Sequence, residues 1–178
     1  MTSAMVRIAS LARAMRPRSG DELSMPPEAF RAFHESTARP LWGFLARASG
    51  DSTAADDLSQ EAYLRFLRAA IPESADFVYR RNYLFRIATN LLRDRYRAGR
   101  WEELEETAAP PRDLGRELDV RRALELAPPR DRALLWLAYV EKLSHREIAA
   151  IFDIREQSVR TMLLRARERF KDTWGEKS

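Results

Sequence analysis

The stretch Leu143-Ser-His-Arg-Glu-Ile-Ala-Ala-Ile-Phe-Asp-Ile-Arg-Glu-Gln-Ser-Val-Arg-Thr-Met-Leu leaves its chain few ways to fold. Ser144 and Glu147 have the S-x-x-E spacing of a capping box, in which each side chain satisfies a free backbone N–H at a helix start. Ile148, Ala149 and Phe152 then fall on one face of a short helix. Asp153 stands where that helix must end in a sharp turn, and Asp tolerates left-handed backbone better than most residues. Ile154 plugs the core beneath the turn, and Val159 and Leu163, at i and i+4, bury one side of a second helix. The pattern predicts a tight helix-turn-helix whose second helix keeps an outer face for the DNA major groove.

That outer face carries Arg155, Glu156, Gln157, Arg160 and Thr161, followed by Arg165, Arg167 and Arg169. Arg and Gln can hydrogen-bond base edges in pairs, and flanking arginines neutralise phosphate. The competing reading is a helical hairpin with a solvated charged face. Cap, turn and apolar plugs in one register favour the DNA-binding reading.

Helical periodicity recurs elsewhere. Leu41, Phe44, Leu45 and Ala48 mark one helix, ended by Gly50-Asp51. Leu58, Ala62, Tyr63, Phe66 and Leu67 mark a second that runs toward Ile71-Pro72, and Leu84, Ile87, Ala88, Leu91 and Leu92 a third from about Phe77 to Ala98. Between Gly99 and Gly115 the periodicity fails: Glu102, Glu103, Glu105 and Glu106 crowd together before Pro110-Pro111, the signature of a linker. Helical pattern resumes at Val120, Ala123, Leu124 and Leu126. It breaks at Pro128-Pro129 and continues through Ala133, Leu134, Leu137, Ala138 and Val140. No run has the alternation of a strand. The expected fold is all-α, with two small helical domains joined by a flexible linker. The expected bounds are a flexible basic leader at 1–25, domains at 26–98 and 117–178, and an acidic linker at 99–116.

Composition excludes several functions. The 178 residues include no cysteine, which removes disulfides, zinc ribbons and thiol catalysis and suits a reducing cytoplasm. His34 and His145 lie too far apart in sequence to suggest a metal site. No apolar run is long enough to span a bilayer. A net charge of +4 on a chain that is 33% charged suits a protein meeting a polyanion over part of its surface. Asp56, Asp57 and Glu61 could be imagined as metal-binding carboxylates, but no second acidic cluster at helical spacing faces them. No enzyme, cofactor or metal is expected.

The stretch Leu126-Ala-Pro-Pro-Arg-Asp-Arg-Ala-Leu-Leu-Trp-Leu-Ala-Tyr-Val-Glu-Lys-Leu-Ser resembles the segment that opens region 4 of extracytoplasmic-function (ECF) sigma factors. Leu164-Arg-Ala-Arg-Glu-Arg-Phe resembles that region's ending. Ala55-Asp-Asp-Leu-Ser-Gln-Glu-Ala-Tyr-Leu-Arg and Tyr83-Leu-Phe-Arg-Ile-Ala-Thr-Asn-Leu-Leu-Arg-Asp are similar to two segments of the family's region 2. The resemblance runs in the right order from about Phe30 to Lys171. The chain departs from the family's usual residues at Arg155, Met162 and Leu164, which leaves its −35 sequence open.

The resemblance implies a bacterial, cytoplasmic factor that lends promoter specificity to RNA polymerase. Its implied partners are core RNA polymerase, through the β′ coiled coil, promoter DNA and an anti-sigma factor, with no membrane insertion. Asp57, Gln60, Glu61 and Leu64 become the polymerase contacts. Read alone, Asp56 and Asp57 would be a helix start favouring the macrodipole. The loop Ile71–Tyr79 and the helix after it become the part that opens the promoter −10 element and holds an unstacked non-template base, with Phe77, Tyr79, Arg80, Arg81, Asn82, Arg86 and Asn90 as candidates. Rings stack on unpaired bases and arginines follow phosphates, although Phe77 could equally fill the core. Arg155, Glu156, Gln157, Arg160, Thr161, Arg165 and Arg167 become the −35 contacts. A stand-alone helix-turn-helix regulator is the alternative, and it has no use for the first domain's motifs. The acidic linker could itself be an interaction element.

Overall fold

The computed structural model describes residues 25–97 and 127–175, with side chains to 172. The expected linker at 99–116 and residues 1–24 of the expected leader lie outside the described residues. Met25, the leader's last residue, is buried. The described residues form six helices: α1 (Pro27–Ser49), α2 (Ser52–Arg68), α3 (Phe77–Arg97), α4 (Pro129–Tyr139), α5 (His145–Phe152) and α6 (Glu156–Gly175). There is no strand among the described residues, so the all-α expectation holds.

Local chemistry explains where the helices start and stop. Proline needs no N–H at the first helical position, and α1 and α4 each start on one. Gly50 ends α1 with φ 74°, a left-handed cap that glycine adopts without steric cost, and its N–H returns to Ala46 O at 2.9 Å. Asp51 immediately caps α2, accepting the Thr53 N–H at 2.8 Å. Asp76 does the same near the start of α3, accepting from Tyr79 N–H at 2.7 Å.

α1 is longer than the periodicity from Leu41 suggests, because it begins at Pro27 and runs through Pro40. Proline inside a helix removes a hydrogen bond, so tertiary packing has to offset it. Phe30, Phe33, His34 and Thr37, all upstream of Pro40, are buried against α2 and do so. Phe33 stacks on Phe66 with centroids 4.8 Å apart. The Thr37 hydroxyl donates to Phe33 O at 2.7 Å and lies 2.7 Å from Tyr63 OH, which therefore donates to it.

The first three helices bury Leu41, Phe44, Leu45, Phe66, Leu84 and Phe85. The last three bury Leu134, Leu137, Ile148, Ile151 and Val159. Asp131, also buried, is held by Arg169 in a two-point pair at 2.7 and 3.0 Å that ties α4 to α6.

The two halves also pack on each other, α1 against α4 and α3 against α5, which the sequence does not announce. Trp136 on α4 lies so close to Gly43 on α1 that a Cβ there would sit 3.2 Å from the indole. Arg47 stands over the same ring at 5.9 Å.

Candidate nucleic-acid interface

The helix-turn-helix is α5, a turn and α6. Ser144 Oγ accepts the Glu147 N–H at 3.3 Å, and Glu147 Oε2 accepts the Ser144 N–H at 2.9 Å, so the expected capping box is present. Partial burial raises the Glu147 carboxyl's affinity for its proton. Hydrogen bonds from Ser144 and the charge of Arg81 outweigh that and hold its pKa below the ordinary value. Asp153 ends α5 at φ 56°, the left-handed turn expected of it. Ile148, Ala149, Phe152, Val159 and Leu163 are buried, and Ile154 is half-buried beneath the turn. Arg155, Glu156, Gln157, Arg160, Thr161, Arg165 and Arg167 are all exposed on or beside α6. Arg169 is engaged with Asp131, so it serves the fold.

The second candidate surface centres on the start of α3. Phe77 and Tyr79 are about half exposed, at 48% and 49%. Phe77 meets Phe33 edge-on at 5.8 Å, so one side of its ring touches the core and the other faces solvent. Tyr79 stacks nearly parallel on Tyr83. Two rings open to solvent at a helix start can accept an unstacked base.

Arg80 braces the loop before α3, donating to the carbonyls of Ala75 at 2.9 Å, Glu73 at 3.2 Å and Pro72 at 3.4 Å. Arg81 pairs with Glu147, and Arg86 with Asp153 at 3.0 Å, both across the seam between the halves. Asn82 is half-buried and Asn90 exposed. Sequence reasoning placed these arginines on one helix but missed their carboxylate partners, which come from the other half.

The third surface is α2. Asp57 is exposed, and Gln60, Glu61 and Leu64 are half-buried, one to two turns along the same side. Glu61 pairs with Arg65 at 2.7 Å. Asp56 and Asp57 lie more than a turn inside the helix, because Asp51 is its cap, so they are not the carboxylates that favour the helix start. Asp56 accepts a hydrogen bond from the Trp42 indole at 2.8 Å, which fixes a ring left 41% exposed beside this acidic surface. Trp42 went unnoticed in the sequence because a lone tryptophan in an apolar run reads as core. Among the described residues no cluster of His, Asp or Glu could hold a metal ion, and no helix is long and apolar enough to cross a membrane.

Comparison with known proteins follows the same division of the chain. Residues 33–102 match the family described as Sigma-70 region 2, and residues 117–170 match Sigma-70, region 4. The ECF RNA polymerase sigma factor SigE of Mycolicibacterium smegmatis is 29% identical over 168 residues, covering 86% of this chain and 64% of that protein. The ECF RNA polymerase sigma factor SigL of Mycobacterium tuberculosis is 28% identical over 146 residues, covering 75% of this chain and 81% of SigL. The chain thus spans just under two thirds of SigE and about four fifths of SigL. In fold it is similar to the sigma factor RpoE of Bartonella quintana, solved in complex with the anti-sigma factor NepR. The TM-score is 0.64 at 20% identity, over 81% of this chain and 95% of that one. With the region 2 match preceding the region 4 match and an intact helix-turn-helix closing the chain, this protein belongs to the sigma-70 family of RNA polymerase sigma factors, in its ECF class.

Proposed function

We propose that the chain binds core RNA polymerase and directs it to promoters, reading the −35 element with α6 and opening the −10 element with α3. The observation that carries this reading is the pairing of two unlike surfaces on one chain. One is an exposed Arg- and Gln-bearing recognition helix, and the other a helix start with two half-exposed rings. A stand-alone regulator needs only the first. The factor acts without chemistry of its own, in the cytoplasm, and the envelope or another stress is the natural setting for its class.

In this reading Gln157 and Arg160 contact base edges, with Glu156 placed to accept from a cytosine amino group, while Arg155, Thr161, Arg165 and Arg167 place the helix on the backbone. Phe77 and Tyr79 receive a non-template base, with Asn82 and Asn90 beside them and Arg80, Arg81 and Arg86 toward the phosphates. Arg80 contributes mainly by shaping the loop. Asp57, Gln60, Glu61 and Leu64 dock on the polymerase β′ coiled coil, and an anti-sigma factor is the expected antagonist. Transcription in vitro with core polymerase, with mapped start sites, tests the reading. Promoter-specific transcripts that need this chain support it. Duplex binding without any polymerase-dependent initiation favours the stand-alone regulator.

A further inference from the structure

The arginines proposed to follow the −10 strand do not face solvent freely. Arg81 and Arg86 lie five residues apart on α3, roughly 7.5 Å along its axis. Their partners, Glu147 and Asp153, mark the two ends of α5, one in its capping box and one in its terminal turn. The two ion pairs therefore run the length of α5 and fix it in register on α3.

We propose that Glu147 and Asp153 form a clasp that holds the helix-turn-helix against the strand-capturing helix, their carboxylates standing where backbone phosphates would stand. This rests on the proposed −10 role of α3. A guanidinium pairs with a carboxylate or with a phosphate through the same planar fork, so an arginine engaged by one is withheld from the other. With the clasp shut, α5 covers α3, and α3 cannot receive a strand at Arg81 or Arg86.

Local structure does not require the two charges. A capping box works with Gln as well as Glu, and the left-handed turn accepts Asn as well as Asp. The ionised forms matter to the contact between halves. The pairs are also unequal. Arg81 and Glu147 are 26% and 22% exposed, and Arg86 and Asp153 are 42% and 71% exposed. Partly hydrated pairs give a reversible hold. The packing of Trp136 on Gly43 under Arg47 adds an apolar contact to the same seam. Asp57 on α2 stays exposed while the clasp is shut. Polymerase docking on α2 can therefore come first, with strand capture following only after the halves part.

The test uses the full chain, whose lack of cysteine allows clean labelling. Fluorophores at Glu35→Cys on α1 and Glu168→Cys on α6, both exposed positions, report the separation of the halves by energy transfer. In a Glu147→Gln/Asp153→Asn background, transfer falls and a labelled −10 non-template oligonucleotide binds roughly three- to tenfold tighter in the absence of polymerase. Raising salt moves the parent's transfer toward the variant's. Arg81→Gln/Arg86→Gln breaks the clasp from the other side and gives the same drop in transfer, which covers the case of a misfolded first variant. Unchanged transfer in both variants overturns the clasp. Reduced transfer with unchanged oligonucleotide affinity overturns the masking role. Neither result depends on transcription, so a parent chain that fails to initiate with core polymerase would count against the proposed function alone.

Discussion

The two arginine-bearing helices, α6 and α3, use the same residue chemistry in opposite settings. On α6, Arg160, Arg165 and Arg167 point away from a buried stripe of Val159, Leu163 and Ala166, and no ion pair engages them among the described residues. On α3, Arg80 is tied to loop carbonyls and Arg81 and Arg86 to carboxylates of the other half. Arginine content alone would rate the two helices alike. What separates them is which surface the rest of the chain covers, so an electrostatic footprint has to be read after packing.

The hardest way to break the contrast is to remove what holds α3 in place. Phe85 is 1% exposed and packs on Phe44 at 5.4 Å. Phe85→Ala should cost about 3–5 kcal/mol in urea unfolding. Phe77→Ala, at a ring 48% exposed, should cost clearly less and act mainly on promoter opening, read by permanganate reactivity of −10 thymines. Equal losses of stability would make Phe77 a core residue.

Next comes the open helix. Replacing Arg160 or Gln157 by Ala should cost about 1–3 kcal/mol on the preferred −35 duplex and relax preference at one position. Arg167→Ala should weaken all duplexes alike and lower the slope of affinity against salt. Unaltered base preferences after Arg160→Ala/Gln157→Ala would remove those residues from the readout.

A smaller effect is expected at Ser144, the cap shared by the helix-turn-helix and the seam. Ser144→Ala should cost about 1 kcal/mol by thermal or urea unfolding. Ser144→Asp, which can still cap, should recover most of it.

The smallest effect concerns His34, which belongs to neither proposed DNA surface. Burial against Tyr63 and Phe30 lowers its pKa below 6.5, with Glu35 opposing. The unfolded chain therefore binds the proton more readily, and stability rises with pH across that interval. The His34 contribution is complete above pH 6.5 and declines as the pH falls toward the lowered value. Urea midpoints at pH 7.5 and 5.5 should differ more for the parent than for His34→Gln. The same difference in both would assign the pH dependence to other groups.

The helix-turn-helix was legible because everything that specifies it is local. Ser144, Glu147, Asp153 and the apolar positions lie within a few turns of one another, and each has one physical task. α1 was only half legible, since its run through Pro40 depends on burial of Phe33 and Thr37 against α2, which no local pattern states. Asp56 and Asp57 looked like a helix start until Asp51 was seen to cap the helix earlier. The seam was not legible at all. Arg81 and Glu147 are 66 positions apart, and nothing near either residue points to the other.

Gly43 gives that seam an adjustable spacing. A methyl group there would press on the Trp136 indole at 3.2 Å, inside ordinary contact distance, so the ring or the helix carrying it must shift by a few tenths of an ångström. One added carbon, on none of the side chains proposed to face nucleic acid, would thus act as a shim between the halves. Two chains with identical DNA-facing residues and different residues at this position would then differ in how readily they open, and so in threshold instead of target.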